Sequence, residues 1–212
     1  MIDKIVSYIR KNRVSTTEVA DCLGKTGVYA GVKAVNRGHF AVGPVYWVAA
    51  THESNWNVHD QFRYIPEGSV VLVVNEGCGD RAIFGELVSK FALLYKRAEA
   101  IVVDGNMRDA PRLIKENWPV WCRGFNPVGC FNREVPQLEP SISAKYNELY
   151  HGAVAVCDDT GVVIIPPQQM TEEFYRKLEF IEDQEDVWAD CINHRKWDTF
   201  DTICLKKYKS EI

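Results

Sequence analysis

The sequence predicts an α/β domain, and three observations carry that prediction. Short apolar runs of buried-strand length recur at residues 45–50, 69–74 and 101–103. Between them lie stretches with helical spacing, such as Leu87, Phe91 and Leu94. Turn formers punctuate the changeovers, among them Pro66-Glu67-Gly68 and Asp104-Gly105.

Taken in order, residues 1–13 form a helix with Ile5, Val6 and Ile9 on one face. Ser15-Thr16-Thr17-Glu18 has the form of a capping box, opening a helix that stops near Gly24. Residues 27–40 read as irregular or extended. Val45-Tyr46-Trp47-Val48-Ala49-Ala50 is rich in β-branched and aromatic residues and reads as a strand. His59 and Asp60 fall on a short helix, and 69–74 form a continuous apolar strand. A helix over 84–96 leads to the strand at 101–103, which Asp104-Gly105 ends. A short helix at 110–116, a strand at 118–122 and an irregular, aromatic-rich loop over 124–140 follow. Residues 152–156 and 162–165 are two strands joined by a link of hairpin length. Pro166-Pro167 closes the sheet, and a long acidic helix covers 171–194, most of its charges forming a solvated face.

At 212 residues the chain is long enough for a substantial core. A formal charge of −4 leaves no electrostatic footprint for nucleic acid. No apolar stretch reaches membrane-spanning length, and the charged first 14 residues do not suit a signal peptide. The expectation is a soluble, cytoplasmic protein with no nucleic-acid or membrane partner. Its seven cysteines are odd in number and scattered, which suits reduced thiols.

Several motifs compete for the chemistry. His52-Glu53-Ser54-Asn55-Trp56 begins like a zinc-protease helix, but Trp56 stands where the second histidine belongs. Cys191-Ile192-Asn193-His194 lacks a second ligand pair for zinc. Gly77-Cys78-Gly79-Asp80-Arg81-Ala82 matches a dinucleotide fingerprint, with Asp104 at the distance of a ribose-binding carboxylate. Against it, 76 residues precede the motif, and the helical pattern starts only near Gly85-Glu86. Arg108-Asp109, just past a strand's carboxyl end, is the strongest candidate. A guanidinium there can clamp a carboxylate or enolate oxygen, and the aspartate can hold a hard divalent cation. His39, His59 and His151 read as surface or hydrogen-bonded residues, and Asp158 and Asp159 as turn formers. Trp47, Trp118 and Trp121 read as core or interface.

Seven segments in one order give the chain a family resemblance. They are Thr17-Glu18-Val19-Ala20-Asp21-Cys22-Leu23, Gly43-Pro44-Val45, Pro66-Glu67-Gly68-Ser69-Val70-Val71-Leu72-Val73 and Ala82-Ile83-Phe84-Gly85-Glu86-Leu87-Val88, followed by Val103-Asp104-Gly105-Asn106-Met107-Arg108-Asp109, Pro119-Val120-Trp121-Cys122-Arg123-Gly124 and Asp158-Asp159-Thr160-Gly161-Val162-Val163-Ile164-Ile165-Pro166. The chain resembles the family that groups the regulator of ribonuclease E activity A (RraA-like proteins) with 4-hydroxy-4-methyl-2-oxoglutarate aldolases. The resemblance implies a β/β/α swivelling-type single domain over residues 1–170, with N-terminal helices. Residues 171–212 would be a C-terminal helical extension packing on a neighbouring subunit of a trimer, or of a hexamer.

It also implies a lyase that uses Mg²⁺ or Mn²⁺ to cleave a 4-hydroxy-2-oxo acid to pyruvate, or to decarboxylate oxaloacetate. Arg108 would be the substrate-binding and catalytic arginine, and Asp109 the metal ligand. Gly85, Glu86, Leu87 and Val88 would present backbone N–H groups to the substrate carboxylate. Glu86 stands where the family usually has aspartate, and would hold a metal-bound water and take part in catalysis. Glu185 of a neighbouring subunit, with Glu182 as second choice, would reach the metal through water. Residues 125–146 have no clear family counterpart and would shape the pocket. The alternatives are a non-catalytic regulator acting by protein contact and a member recruited to a specialised biosynthetic reaction. Family regulators generally lack the Arg-Asp pair, and its presence here favours an enzyme.

Overall fold

The computed structural model describes residues 1–210. From the N-terminus run α1 (Ile2–Asn12), α2 (Thr16–Cys22), the short strand β1 (Lys33–Ala34), β2 (Ala41–Thr51), α3 (Trp56–Phe62) and β3 (Val70–Glu76). Then come α4 (Glu86–Lys90), β4 (Ala100–Met107), α5 (Ala110–Lys115), β5 (Val120–Phe125) and α6 (Pro140–Tyr150). The hairpin β6 (Val154–Cys157) and β7 (Val162–Ile165) and the long α7 (Glu172–Asn193) follow. The described strands form one seven-stranded sheet in the order β1-β5-β4-β3-β2-β6-β7.

β2 joins two halves of this sheet. Its first residues pair antiparallel with β6, from Ala41↔Cys157 to Pro44↔Val154. From Val45↔Val70 onward it pairs parallel with β3. β3, β4 and β5 continue the parallel array, and β1 closes the far edge antiparallel to β5.

The parallel strands are buried on both faces, which explains their unbroken apolar sequence. Val71, Val73, Ile101 and Val103 face a core shared with Val58 and Phe62 of α3 and Leu113 of α5. Their neighbours Val70, Leu72, Ala100 and Val102 face the opposite way, toward Ala155, Cys157, Val162 and Ile164 of the hairpin. The hairpin's other face, with Val154, Val156 and Val163, is covered by Ile5 and Ile9 of α1 and by Phe174 and Leu178 of α7. The result is helices, sheet, hairpin and helices in four layers, in keeping with the expected α/β class. Each fully buried Val or Ile side chain contributes about 1.5–3 kcal/mol of transfer free energy to this stack.

Four sequence expectations need correction. Asp104-Gly105 does not end β4; the strand continues to Met107 through a register shift between Val103 and Asn106. The last strand of the parallel array is displaced, running over Val120–Phe125 and not 118–122. The helix expected over 84–96 starts at Glu86 and finishes as a π-turn over Phe91–Tyr95, where Lys96 N–H bonds the Phe91 carbonyl at 3.1 Å. α6 lies partly inside the expected loop, and none of its residues is fully buried, so no apolar stripe announced it. The capping box is as expected: the Ser15 hydroxyl accepts from Glu18 N–H at 3.2 Å, and the Glu18 carboxylate from Ser15 N–H at 2.6 Å. No helix among the described residues is long and apolar enough to cross a membrane.

Candidate active site

The segment between β3 and α4 crosses the carboxyl end of the parallel sheet. Ala82 bridges Asn106 at the end of β4 and Gly129 of the loop after β5. Ile83 N–H bonds the Asn106 carbonyl at 2.8 Å, and Arg108 N–H bonds the Phe84 carbonyl at 3.0 Å. These bonds place the start of α4 directly beside Arg108-Asp109, which the sequence separates by more than a dozen residues. Asp109 is the N-cap of α5 and sits in the left-handed region at φ 61° and ψ 33°. Aspartate tolerates that conformation better than most residues, but such backbone strain persists only where surrounding contacts fix it.

Asp109 Oδ2 accepts the Glu86 N–H at 3.3 Å and lies 3.6 Å from Arg108 Nε. The approach is so close that a Cβ on Gly85 would stand 2.2 Å from Asp109 Oδ2 and 2.8 Å from Arg108 Cγ. A Cβ on Gly129 would likewise meet Arg108 Nη1 at 3.0 Å. Both glycines leave room for the charged pair.

The pair opens into a cleft of about 170 Å³, lined also by Gly85, Leu87, Val88, Asn55, His59, Cys130 and Asn132. Leu87 and Val88 belong to the first turn of α4, where N–H groups lack intrahelical partners and favour an anion. Partial burial lowers the His59 pKa below the ordinary histidine value. Cys130 is pushed up, first by its hydrogen bond with Cys78 and then by burial.

Of the residues expected from the sequence, Arg108, Asp109, Gly85, Leu87 and Val88 line this one cleft. Glu86 is buried beside it, its backbone bound to Asp109. Glu185 is absent from the lining of its own chain's cleft. It faces α2 instead; partial burial, then the charges of Glu18, Asp21 and Asp186, raise its pKa. Glu182 accepts a hydrogen bond from the Tyr8 hydroxyl.

Asn55 carries no signal in the sequence, and His59 reads there as an ordinary histidine. Both sat inside or beside the failed zinc motif. His52 and Glu53 adopt left-handed backbone and α3 begins only at Trp56, so that motif is not helical. The dinucleotide fingerprint fails for a similar reason. Gly77–Ala82 forms a turn and a β-bridge, and the next helix starts at Glu86, too late to seat a pyrophosphate on the glycines. Asp104 is engaged by Arg123.

The α/β fold agrees with comparison to known proteins. Residues 16–164 match the RraA-like family, Aldolase/RraA. The chain belongs to that family. It is 29% identical over 166 residues to a protein of Halalkalibacterium halodurans provisionally named 4-hydroxy-4-methyl-2-oxoglutarate aldolase, covering 77% of this chain and 79% of that protein. It is 27% identical over 167 residues to Protein DlpA of Legionella pneumophila, covering 74% of this chain but only 27% of DlpA's length.

Among solved structures, an uncharacterized protein from Pseudomonas syringae pv. tomato superimposes with a TM-score of 0.74 at 24% identity, over 97% of this chain and 95% of that one. Streptomyces coelicolor RraAS2, described as an unusual member of the RNase ES inhibitor RraA family, gives 0.68 at 21% identity, over 90% and 96%. At these identities the likeness is one of fold.

Proposed function

We propose that the chain is a divalent-metal-dependent lyase acting on a 2-oxo acid, by retro-aldol cleavage of a 4-hydroxy-2-oxo acid, oxaloacetate decarboxylation, or both. The observation that carries this reading is the Arg108-Asp109 pair, held in one cleft with the first turn of α4.

The donor set suits Mg²⁺ or Mn²⁺. No group of three or more His, Cys, Asp or Glu among the described residues could form a protein cage. Zinc would ask for three or four such ligands. Magnesium is commonly held by one or two carboxylates and keeps several waters, which matches Asp109 with Glu86 buried beside it. When bound, the metal would polarise the keto oxygen and stabilise negative charge on it.

The chain's own residues supply the rest. Arg108 presents a rigid fork of donors to the carboxylate or to the enolate oxygen as charge develops. The Leu87 and Val88 N–H groups, in the first turn of α4, would bind the same carboxylate. In the retro-aldol step the bond between C3 and C4 breaks and its electrons form the enolate. The C4 hydroxyl proton passes to a water held at Glu86, C4 becomes a carbonyl, and C3 regains a proton to give pyruvate. Oxaloacetate loses CO₂ across the same bond and gives the same enolate.

Measuring pyruvate release from oxaloacetate and from 4-hydroxy-4-methyl-2-oxoglutarate tests this reading. Turnover should require Mg²⁺, stop with EDTA, and be lost in Asp109→Ala. No turnover of either compound, by a protein that binds neither Mg²⁺ nor pyruvate in calorimetry, would contradict it and favour a regulator acting by protein contact.

A further inference from the structure

We propose that Cys78 and Cys130 form a site of reversible oxidation, and that their disulfide draws the loop after β5 away from Arg108. The thiol pair stands without the lyase reading above; its effect on turnover rests on that reading.

Cys78 lies in the turn that opens at Gly77 and is only 1% exposed. Cys130, in the loop after β5, packs against the same buried cluster and lines the cleft. Both are free thiols. Backbone bonds hold the two segments together: Ala82 N–H donates to the Val128 carbonyl and Cys130 N–H to the Ala82 carbonyl, each at 2.8 Å. Arg81 Nη1 adds a bond to the Gly129 carbonyl at 3.1 Å. Across this bridge the two thiols meet in a hydrogen bond. That bond lowers the Cys78 pKa against the effect of burial, with help from backbone bonds at Glu53 and Ser54. Burial raises the pKa of Cys22, Cys122 and Cys157 instead. Since the thiolate is the reactive form, the pair is set apart from those three.

A small oxidant entering the cleft meets Cys130 first, and a peroxide fits. The Cys130 sulfur attacks one oxygen of hydrogen peroxide, the O–O bond breaks, and the thiol proton leaves with the other oxygen as water. The Cys78 sulfur then attacks the resulting sulfenic acid. The S–S bond forms, the S–O bond breaks, and the hydroxyl leaves with the Cys78 proton as a second water. The two thiols give up two electrons, and the peroxide takes both.

A disulfide sets its sulfurs about 2.05 Å apart, closer than a thiol hydrogen bond, so the new bond pulls Cys130 toward the Gly77 turn. Gly129 moves with it. A Cβ on Gly129 would stand 3.0 Å from Arg108 Nη1, so this backbone is a wall against which the guanidinium rests. Withdrawing the wall frees Arg108 from its place beside Asp109.

The test treats the full chain with an equimolar dose of hydrogen peroxide, blocks the remaining thiols with iodoacetamide and maps the peptides by mass. A disulfide joining Cys78 to Cys130 should form before the exposed Cys204 is modified, and dithiothreitol should reverse it. Oxidation at Cys204 or Cys22 with Cys78 and Cys130 still reduced would overturn the proposal. In the Mg²⁺-loaded protein, kcat on oxaloacetate should fall at least about tenfold on oxidation, as expected for ångström-scale misplacement of a substrate-holding group, and return with dithiothreitol. Turnover by Cys130→Ser, whatever its level, should not respond to the same dose. A mapped disulfide that leaves kcat unchanged, or an equal loss in Cys130→Ser, would overturn the link to Arg108. A reduced protein inactive on oxaloacetate would remove the lyase reading alone, and the peptide map would still decide the thiol pair.

Discussion

Gly85 shows how closely the site is fitted at the scale of single residues. Its φ of −142° suits any residue, so the case for glycine is space alone. In Gly85→Ala the new methyl must displace the Asp109 carboxylate, which the native structure would place 2.2 Å away. The fold should survive while metal affinity falls by about 10–100-fold, the range found when a ligand's support is disturbed; a Mn²⁺ titration checks this. Arg108→Ala should lower kcat by about 10²–10³-fold, like the loss of other donors to a developing oxyanion, and steady-state kinetics on oxaloacetate would measure it. Arg108 and Asp109 were legible in the sequence because two opposite charges just beyond a strand are chemically conspicuous. Asn55 was not. Its burial depends on Ile83 and Phe131, far along the chain, and local sequence carries no trace of those contacts.

Among elements, the most tightly specified is the junction of α2 with the hairpin. Asp158 does more than form the turn that the sequence suggested. Its carboxylate accepts from the Thr16 N–H and hydroxyl, each at 2.8 Å, and from Thr160 N–H at 2.8 Å, tying the start of α2 to the β6–β7 link. Hydrogen bonds to a charged group contribute about 1.5–3 kcal/mol, so Asp158→Ala should destabilise the fold by roughly that amount in urea unfolding. Ser15→Ala, which removes the adjacent cap, should cost about 1 kcal/mol in the same measurement. Strongly periodic or fully apolar elements were legible: α1, α7, the strand β3 and the hairpin. α6 was not, because its aromatic residues only lean on the sheet. Tyr146 packs on Trp47 of β2 and bonds Glu76 of β3, contacts that depend on tertiary structure and leave no helical stripe. β4 outran its apparent stop because Asp104 finds Arg123 on the neighbouring strand, so a turn-forming residue is accommodated within the ladder.

For the whole molecule, the cleft lies beside an uncovered apolar ridge. Leu87, Phe91, Leu94 and Tyr95 lie along one side of α4 and its π-turn, with Leu87 74% and Tyr95 72% exposed. Contiguous exposed apolar surface of this kind marks an association site. We take its occupant to be a second copy of this chain, because Leu87 also lines the cleft and a neighbour there would help enclose it. Sedimentation should then show more than one copy per particle, and Leu94→Glu should shift it toward monomer and lower turnover.

The most direct test of a metal-and-acid site at Arg108-Asp109 needs no knowledge of the natural substrate. Free Mn²⁺, followed by electron paramagnetic resonance during titration with and without pyruvate, reports whether Arg108 and Asp109 form one metal-and-acid site. One Mn²⁺ should bind per chain, and more tightly with pyruvate. Binding should be lost in Asp109→Ala, and the pyruvate effect lost in Arg108→Ala. Absence of Mn²⁺ binding, or binding that survives Asp109→Ala unchanged, would contradict it.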